Sequence, residues 1–333
     1  MNMIYGVKDK PKFSQTLIFA IQQLLAIMAA TLVVPVITNA ATGSTLSPAA
    51  ALFGAGIGTL VYLLFTKFRS PVFLGSSFAF LGSMAAAFAG GVSMSLGYVG
   101  LILGAVFAGL VYVVIALIVK FAGVGWLQKL MPVVVIGPTV AIIGLSLAGN
   151  AVSDLVSGSV TDASGAALAS PLVTILCGLV ALFVTMLCST YGKKMVRLIP
   201  FILGILAGYA VAAIFTAIGN AAGIDALKVL DFSKLSVLWE NGVTLKTFVN
   251  YELITKDFVF LKAIDGLKEL NGSYISAVAV AYVPVAFVVF AEHVADHENI
   301  SSIIGHDLLV DPGLSRTLLG DGLATTLASL FGA

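Results

Sequence analysis

The residues with most chemistry to offer lie together at 291–298, Ala-Glu-His-Val-Ala-Asp-His-Glu, directly after an uncharged run from Leu270 to Ala291. Glu292 and Asp296 are four apart and share one face of a helix. An ionised carboxylate only accepts hydrogen bonds, whereas a protonated one also donates. An acid set against an apolar span is costly and ordinarily faces a cavity or a pathway. Removal from water favours the neutral carboxyl, which is the chemistry of a proton carrier. The residues alone leave a second reading open, in which the helix ends at Ala291 and these groups are solvated. His293 and His297 add a weak metal-like spacing that does not by itself make a metal site. A second stretch, Pro71 to Phe80, carries Gly75-Ser76-Ser77 inside a short apolar segment. Transporters use such interrupted segments to aim free backbone N–H groups at a substrate, although an ordinary helix containing Gly and Ser would read the same way. Ser76 and Ser77 lack the strand-turn-helix context of a nucleophile elbow.

The elements that must position these residues follow from where charge is missing. Of 333 residues 59% are apolar and 10% charged, with net charge +1 and mean hydropathy +1.09. Soluble domains carry roughly 25% charged residues, so a soluble globule is excluded, and so is disorder, which needs low hydrophobicity and high charge. The charge offers nothing to nucleic acid. Cys177 and Cys188 give neither a disulfide framework nor a metal spacing. What is left is an all-α polytopic membrane protein, since a barrel would alternate polar and apolar residues.

No Asp, Glu, Lys or Arg occurs in 13–66, 70–119, 130–153, 163–192, 198–224 or 270–291. At about 20 residues per crossing, these runs predict spans at 14–38, 47–66, 71–89, 97–120, 127–149, 170–191, 197–220 and 274–297, with 317–333 beginning a ninth. The first run is too long for a cleaved signal peptide. Loops rich in Lys and Arg (Lys8, Lys10, Lys12; Lys67, Arg69; Lys120, Lys129; Lys193, Lys194, Arg197) alternate with base-free ones, which puts the N-terminus in the cytoplasm. The segment 221–273 is then a long external loop of mixed charge, a cap or a spacer, with Trp239 and Tyr251. Gly54, Gly56 and Gly58, Gly100 and Gly104, and Gly204 and Gly208 sit at helix-packing spacing. An enzyme would need a denser polar constellation than Glu292, Asp296 and their histidines, and a channel would need polar residues along a whole helix face.

Four stretches together resemble the nucleobase–ascorbate transporter family, most closely its bacterial uracil–proton symporter branch. They are Gln22-Gln23 with Ala30-Thr31-Leu32-Val33-Val34-Pro35, then Leu74-Gly75-Ser76-Ser77-Phe78-Ala79-Phe80, then Ala291-Glu292-His293-Val294, and last Asp307-Leu308-Leu309 with Asp311-Pro312-Gly313-Leu314. The resemblance implies two inverted repeats of seven spans, the third span being a short strand followed by a half helix. It implies a core of 14–120 and 274–333 and a gate of 121–220, with 1–13 cytoplasmic. It further implies substrate contacts at Glu292, Phe78, Ser77 and Ala30, and proton coupling at Glu292, Asp296 and Gln23. The cargo would be uracil or a related base with a co-transported proton, in a cytoplasmic membrane, with no cofactor or metal and a homodimer as the assembly.

Departures qualify the branch. Gln23 stands where that branch usually has His, and Asp296 replaces a common His, as in xanthine and urate carriers, whereas His293 follows Glu292 as in uracil carriers. Uracil is therefore expected, with xanthine or another purine as the alternative. The family pattern continues beyond a ninth span, so the chain reads as C-terminally truncated and inactive alone. A non-transporting membrane fragment is the rival of another class.

Overall fold

The computed structural model describes residues 6, 9–123, 125–126, 133–146, 148–162, 167–193, 195–233 and 256–333. Its helices are α1 (Phe13–Thr42), α2 (Pro48–Phe65), α3 (Leu81–Ala87), α4 (Met94–Ala122), α5 (Val133–Ser146), α6 (Ala148–Leu155), α7 (Pro171–Tyr191), α8 (Met195–Leu198), α9 (Pro200–Ala222), α10 (Val259–Ala263), α11 (Gly272–Ile304) and α12 (Leu314–Phe331). Six of them, α1, α2, α4, α7, α9 and α11, are long and apolar enough to cross a membrane. This is an all-helical polytopic membrane protein, and it lacks named strands among the described residues.

Helices begin where the loops supply acceptors. Ser47, Ser93 and Asn271 each accept a backbone N–H of the first turn of α2, α4 and α11, satisfying groups that have no partner within the helix. α11 ends on Gly305 at φ 65°, a left-handed conformation that glycine adopts without strain.

Three predicted spans depart from a regular crossing. The third is a half helix: Phe78–Phe80 forms a 3-10 turn that runs into α3. Ahead of it, residues 71–77 are non-helical, but they pair with no strand. Instead the Thr59 hydroxyl of α2 accepts the Leu74 N–H at 3.1 Å, and its one hydrogen is shared between the Ala55 carbonyl at 2.8 Å and the Leu74 carbonyl at 3.2 Å. The fifth, 127–149, lies partly outside the described residues, and α5 and α6 form the remainder. The ninth is α12, which has Arg316 and Asp321 within it. Lys8, Lys129, Lys194, Trp239 and Tyr251 lie outside the described residues.

The chain divides into two compact units. One comprises 1–12, 30–143 and 251–333. In it α12 packs on α2 and α4, and α11 packs on α3 and α4. Part of the expected external loop belongs to this unit: Val259 and Ala263 of α10 are buried, and Gly266 lies against the backbone of Ser95 and Leu96. The other unit comprises 13–29 and 144–250. Here α7 packs along α9, with Gly204 and Gly208 against Thr185 and Ala181. The Thr216 hydroxyl accepts the N–H groups of Val229 and Leu230, both at 3.0 Å, and folds the next segment onto the helix end.

Small residues set how closely the first unit packs. Gly54 and Gly58 lie on Ala328 and Ala324 of α12, and Gly100 and Gly104 receive the Tyr274 and Tyr282 rings of α11. Gly56 departs from the expected pattern, because nothing lies within 4 Å of where its Cβ would be. The closest crossing was not singled out in the sequence. A Cβ on Gly109 of α4 would stand 2.5 Å from the Gly322 carbonyl, and one on Gly322 would stand 2.8 Å from the Gly109 carbonyl. Gly109→Val should therefore cost about 1–3 kcal/mol through overpacking, while Gly56→Ala should stay within about 0.5 kcal/mol of wild type. Thermal unfolding of both variants in detergent checks this.

Candidate functional site

α11 decides the reading of the acidic cluster. It runs without a break to Ile304, so Glu292 to Glu298 are interior helix residues and not a solvated end. Its helical period sorts them by face. His293 and His297 are buried, at 7% and 1% exposure. Glu292 is half-buried and Asp296 exposed on the other face. Neither acid makes a hydrogen bond or ion pair among the described residues, which leaves the Glu292 carboxylate available to a ligand.

On the buried face every histidine nitrogen has a partner, one from α11 itself and three from other helices. His293 Nδ1 stands 2.7 Å from Asp321 Oδ2, and Nε2 stands 3.1 Å from Thr317 Oγ1, both on α12. Thr325 donates to the other Asp321 oxygen at 3.3 Å. His297 Nδ1 meets the His293 carbonyl at 2.7 Å, and its Nε2 meets the Tyr62 hydroxyl of α2 at 2.7 Å. Tyr62 continues to Ser70 Oγ at 2.8 Å. The two imidazoles stack with centroids 4.1 Å apart, and Tyr112 of α4 stands edge-on to His293.

Two glycines put Asp321 there. Gly320 lies against the Tyr62 ring and Phe65 of α2, and Gly322 lies against Gly109 and Tyr112 of α4. α12 therefore sits between α2 and α4 closely enough for the residue between the glycines to reach α11. Asp321, Thr317, Tyr62 and Ser70 were not identified from sequence. The available signal was Gly320-Asp321-Gly322, an acid bracketed by the smallest residues within a largely apolar stretch.

The half helix lies alongside α11. The Tyr274 hydroxyl donates to the Ala87 carbonyl at 2.7 Å, Ser83 donates to the Ala281 carbonyl at 2.7 Å, and Phe80 stacks on Tyr282 at 5.6 Å. Later residues of the half helix thus meet earlier residues of α11. The two run antiparallel, and the end at Phe78 is the one directed toward the Glu292 turn. Phe78 is half-buried. Ser77 accepts the Ala79 N–H at 3.3 Å and caps the 3-10 turn, while the Ser76 hydroxyl is buried without a partner. Ala30 is exposed. Its neighbour Thr31 is buried, 3.0 Å from where a Cβ of Gly75 would be. Gln23 is exposed and belongs to the other unit. Among the described residues no three His, Cys, Asp or Glu side chains gather as metal ligands would.

A family model described as Permease family (Xan_ur_permease) matches residues 14–333. The chain belongs to this family. It is 34% identical to a uracil permease of Bacillus caldolyticus over 333 residues, and 35% identical to that of Bacillus subtilis strain 168 over 329. It is 31% identical to the uracil permease of Escherichia coli K12 over 328 residues. The matches cover 99%, 98% and 98% of this chain and 65%, 65% and 64% of those proteins. A match over 99% of the chain does not itself bear out the expected truncation. What it gives is that the chain spans about two thirds of the length of these relatives.

Tyr62→Phe removes one oxygen and leaves His297 Nε2 and Ser70 Oγ unpartnered in a buried place. It should lower stability by about 1–3 kcal/mol, seen as a lower unfolding temperature in detergent. Ser70→Ala, which leaves the His297 contact in place, should cost less.

Proposed function

We propose that this chain takes up a nucleobase, uracil in the first place, across the cytoplasmic membrane by proton-coupled alternating access, and that it is a transporter and not an enzyme. One observation carries this reading. The half-buried Glu292 carboxylate, without a hydrogen-bond partner among the described residues, stands within α11 beside the buried His293 that meets Asp321, in the direction toward which the Phe78 end of the half helix points. The relatives named as uracil permeases supply the cargo.

In this proposal Glu292 accepts the ring N–H of the base and senses protonation. Backbone N–H groups about Phe78, with its ring, Ser77 and the small Ala30, line the pocket. Asp296 tunes the proton step, and Gln23 takes the place of a histidine. The unit that holds residues 30–143 and 251–333 acts as the substrate-holding core, and that built on α7 and α9 acts as the gate. The N-terminus is cytoplasmic, because the basic loops alternate in that sense, and the assembly is a homodimer. No cofactor is required. The exposed Asp296, one turn beyond Glu292, favours xanthine as the second candidate.

Uptake of labelled uracil by cells expressing the full-length protein tests the cargo. Competition by unlabelled uracil but not xanthine supports the pyrimidine, and the reverse favours the purine. Glu292→Gln should abolish accumulation, and wild-type accumulation by that variant would refute its role. Asp296→Asn should keep uptake but flatten its dependence on external pH. An unchanged pH profile would remove Asp296 from the proton step.

A further inference from the structure

The two nitrogens of His293 have different neighbours, and the difference bears on its protonation. Nδ1 faces a carboxylate oxygen of Asp321 at 2.7 Å, which only accepts, so Nδ1 carries a hydrogen. Nε2 faces Thr317 Oγ1 at 3.1 Å, and that hydroxyl lies 3.0 Å from the Leu314 carbonyl. Thr317 has one hydrogen to give. Donated to Leu314, it leaves Oγ1 as an acceptor, so Nε2 must donate and His293 is a cation on Asp321. Turned to Nε2, the same hydrogen leaves His293 neutral. One hydroxyl rotation fits the site to either proton state.

His297 is held differently. Its Nδ1 faces a carbonyl and must donate, and its Nε2 faces the Tyr62 hydroxyl, to which Ser70 can donate in turn. No acid touches it. With the rings stacked at 4.1 Å, two cations would repel strongly, and among the described residues the acid hydrogen-bonded to the pair, Asp321, lies on His293. The other groups facing the pair are Tyr112 of α4, Thr317 and Asp321 of α12 and Tyr62 of α2, with Glu292 and Asp296 on the same helix.

We propose that His293, seated between Asp321 and Thr317, takes up and returns the co-transported proton, while His297 is a positioning residue kept neutral by Tyr62. This rests on the proton-coupled reading above and assigns its proton to a specific atom. The proton enters on Nε2 as Thr317 swings to Leu314 and leaves as the hydroxyl swings back. Asp321 stays a carboxylate throughout, and no other bond changes.

Ring 15N NMR of the purified full-length protein between pH 5 and pH 8 tests the assignment directly. The His293 signal, identified by its loss in His293→Gln, should show both nitrogens protonated at the acid end and Nε2 deprotonated at the other, while His297 stays neutral. Asp321→Asn should weaken that proton binding at least about tenfold. A His293 ring neutral across the range, or one indifferent to Asp321→Asn, overturns the proposal.

Reconstituted vesicles separate the two readings. Asp321→Asn should lose the proton uptake that accompanies uracil. Should that uptake persist in Asp321→Asn as in wild type, the role of the pair falls alone. Should wild-type protein take up no protons with uracil, the coupling reading falls, whatever the NMR shows of the pair. Thr317→Val, which keeps Asp321 but removes the switching hydroxyl, guards against a variant that fails to fold. It should favour neutral His293, and unchanged proton binding there counts against the proposal.

Discussion

Away from water a charged or polar side chain has to be answered by another side chain or by backbone, and the contact between His293 and Asp321 is where the first unit meets that demand most sharply. The two residues sit on different helices, 28 positions apart, with nitrogen and oxygen at 2.7 Å. Bringing them together requires α12 to sit close to both α2 and α4, which the glycines on either side of Asp321 allow. It also requires α11 to continue past the first acid, so that the histidines fall on its buried face and the free acids on the other.

The same economy runs through the interrupted segment. Backbone that leaves the helix loses its internal hydrogen bonds, and the replacements come from single hydroxyls. Thr59 serves both polar groups of Leu74, Ser77 starts the 3-10 turn, and Ser83 and Tyr274 bind the half helix to α11. Serines and threonines are used here as short connectors between helices. The segment holds its shape through these contacts.

Much of this was legible in the sequence. Charge-free runs located most of the long helices to within a few residues, because an unpaired charge in hydrocarbon is costly; α11 is the exception, running through its acids to Ile304. The interrupted third span was visible from Pro71 and Gly75-Ser76-Ser77, and the Glu292 turn stood out by its place after an apolar run. The glycine pairs at packing spacing mostly found partners. Gly56 did not, because spacing along a helix does not say which face meets a neighbour. The expected half strand became a segment tied to a threonine, because a strand is defined by its partner and the Thr59 side chain supplied that pairing.

What the sequence by itself determined was the solvent and the elements: a chain this poor in charge is built for lipid, and its few charges mark where spans end or where a buried partner is needed. Only the tertiary structure decided which groups face each other. Asp321 looked like one acid in a ninth apolar run until α12 brought it to His293. Tyr62 carried no signal in the sequence, and the fold brings it to His297 across 235 residues. Helical period fixes the face on which a residue lies, but its partner is chosen by how closely two backbones can approach. That distance is set by side chains, here glycines, on helices far apart in sequence.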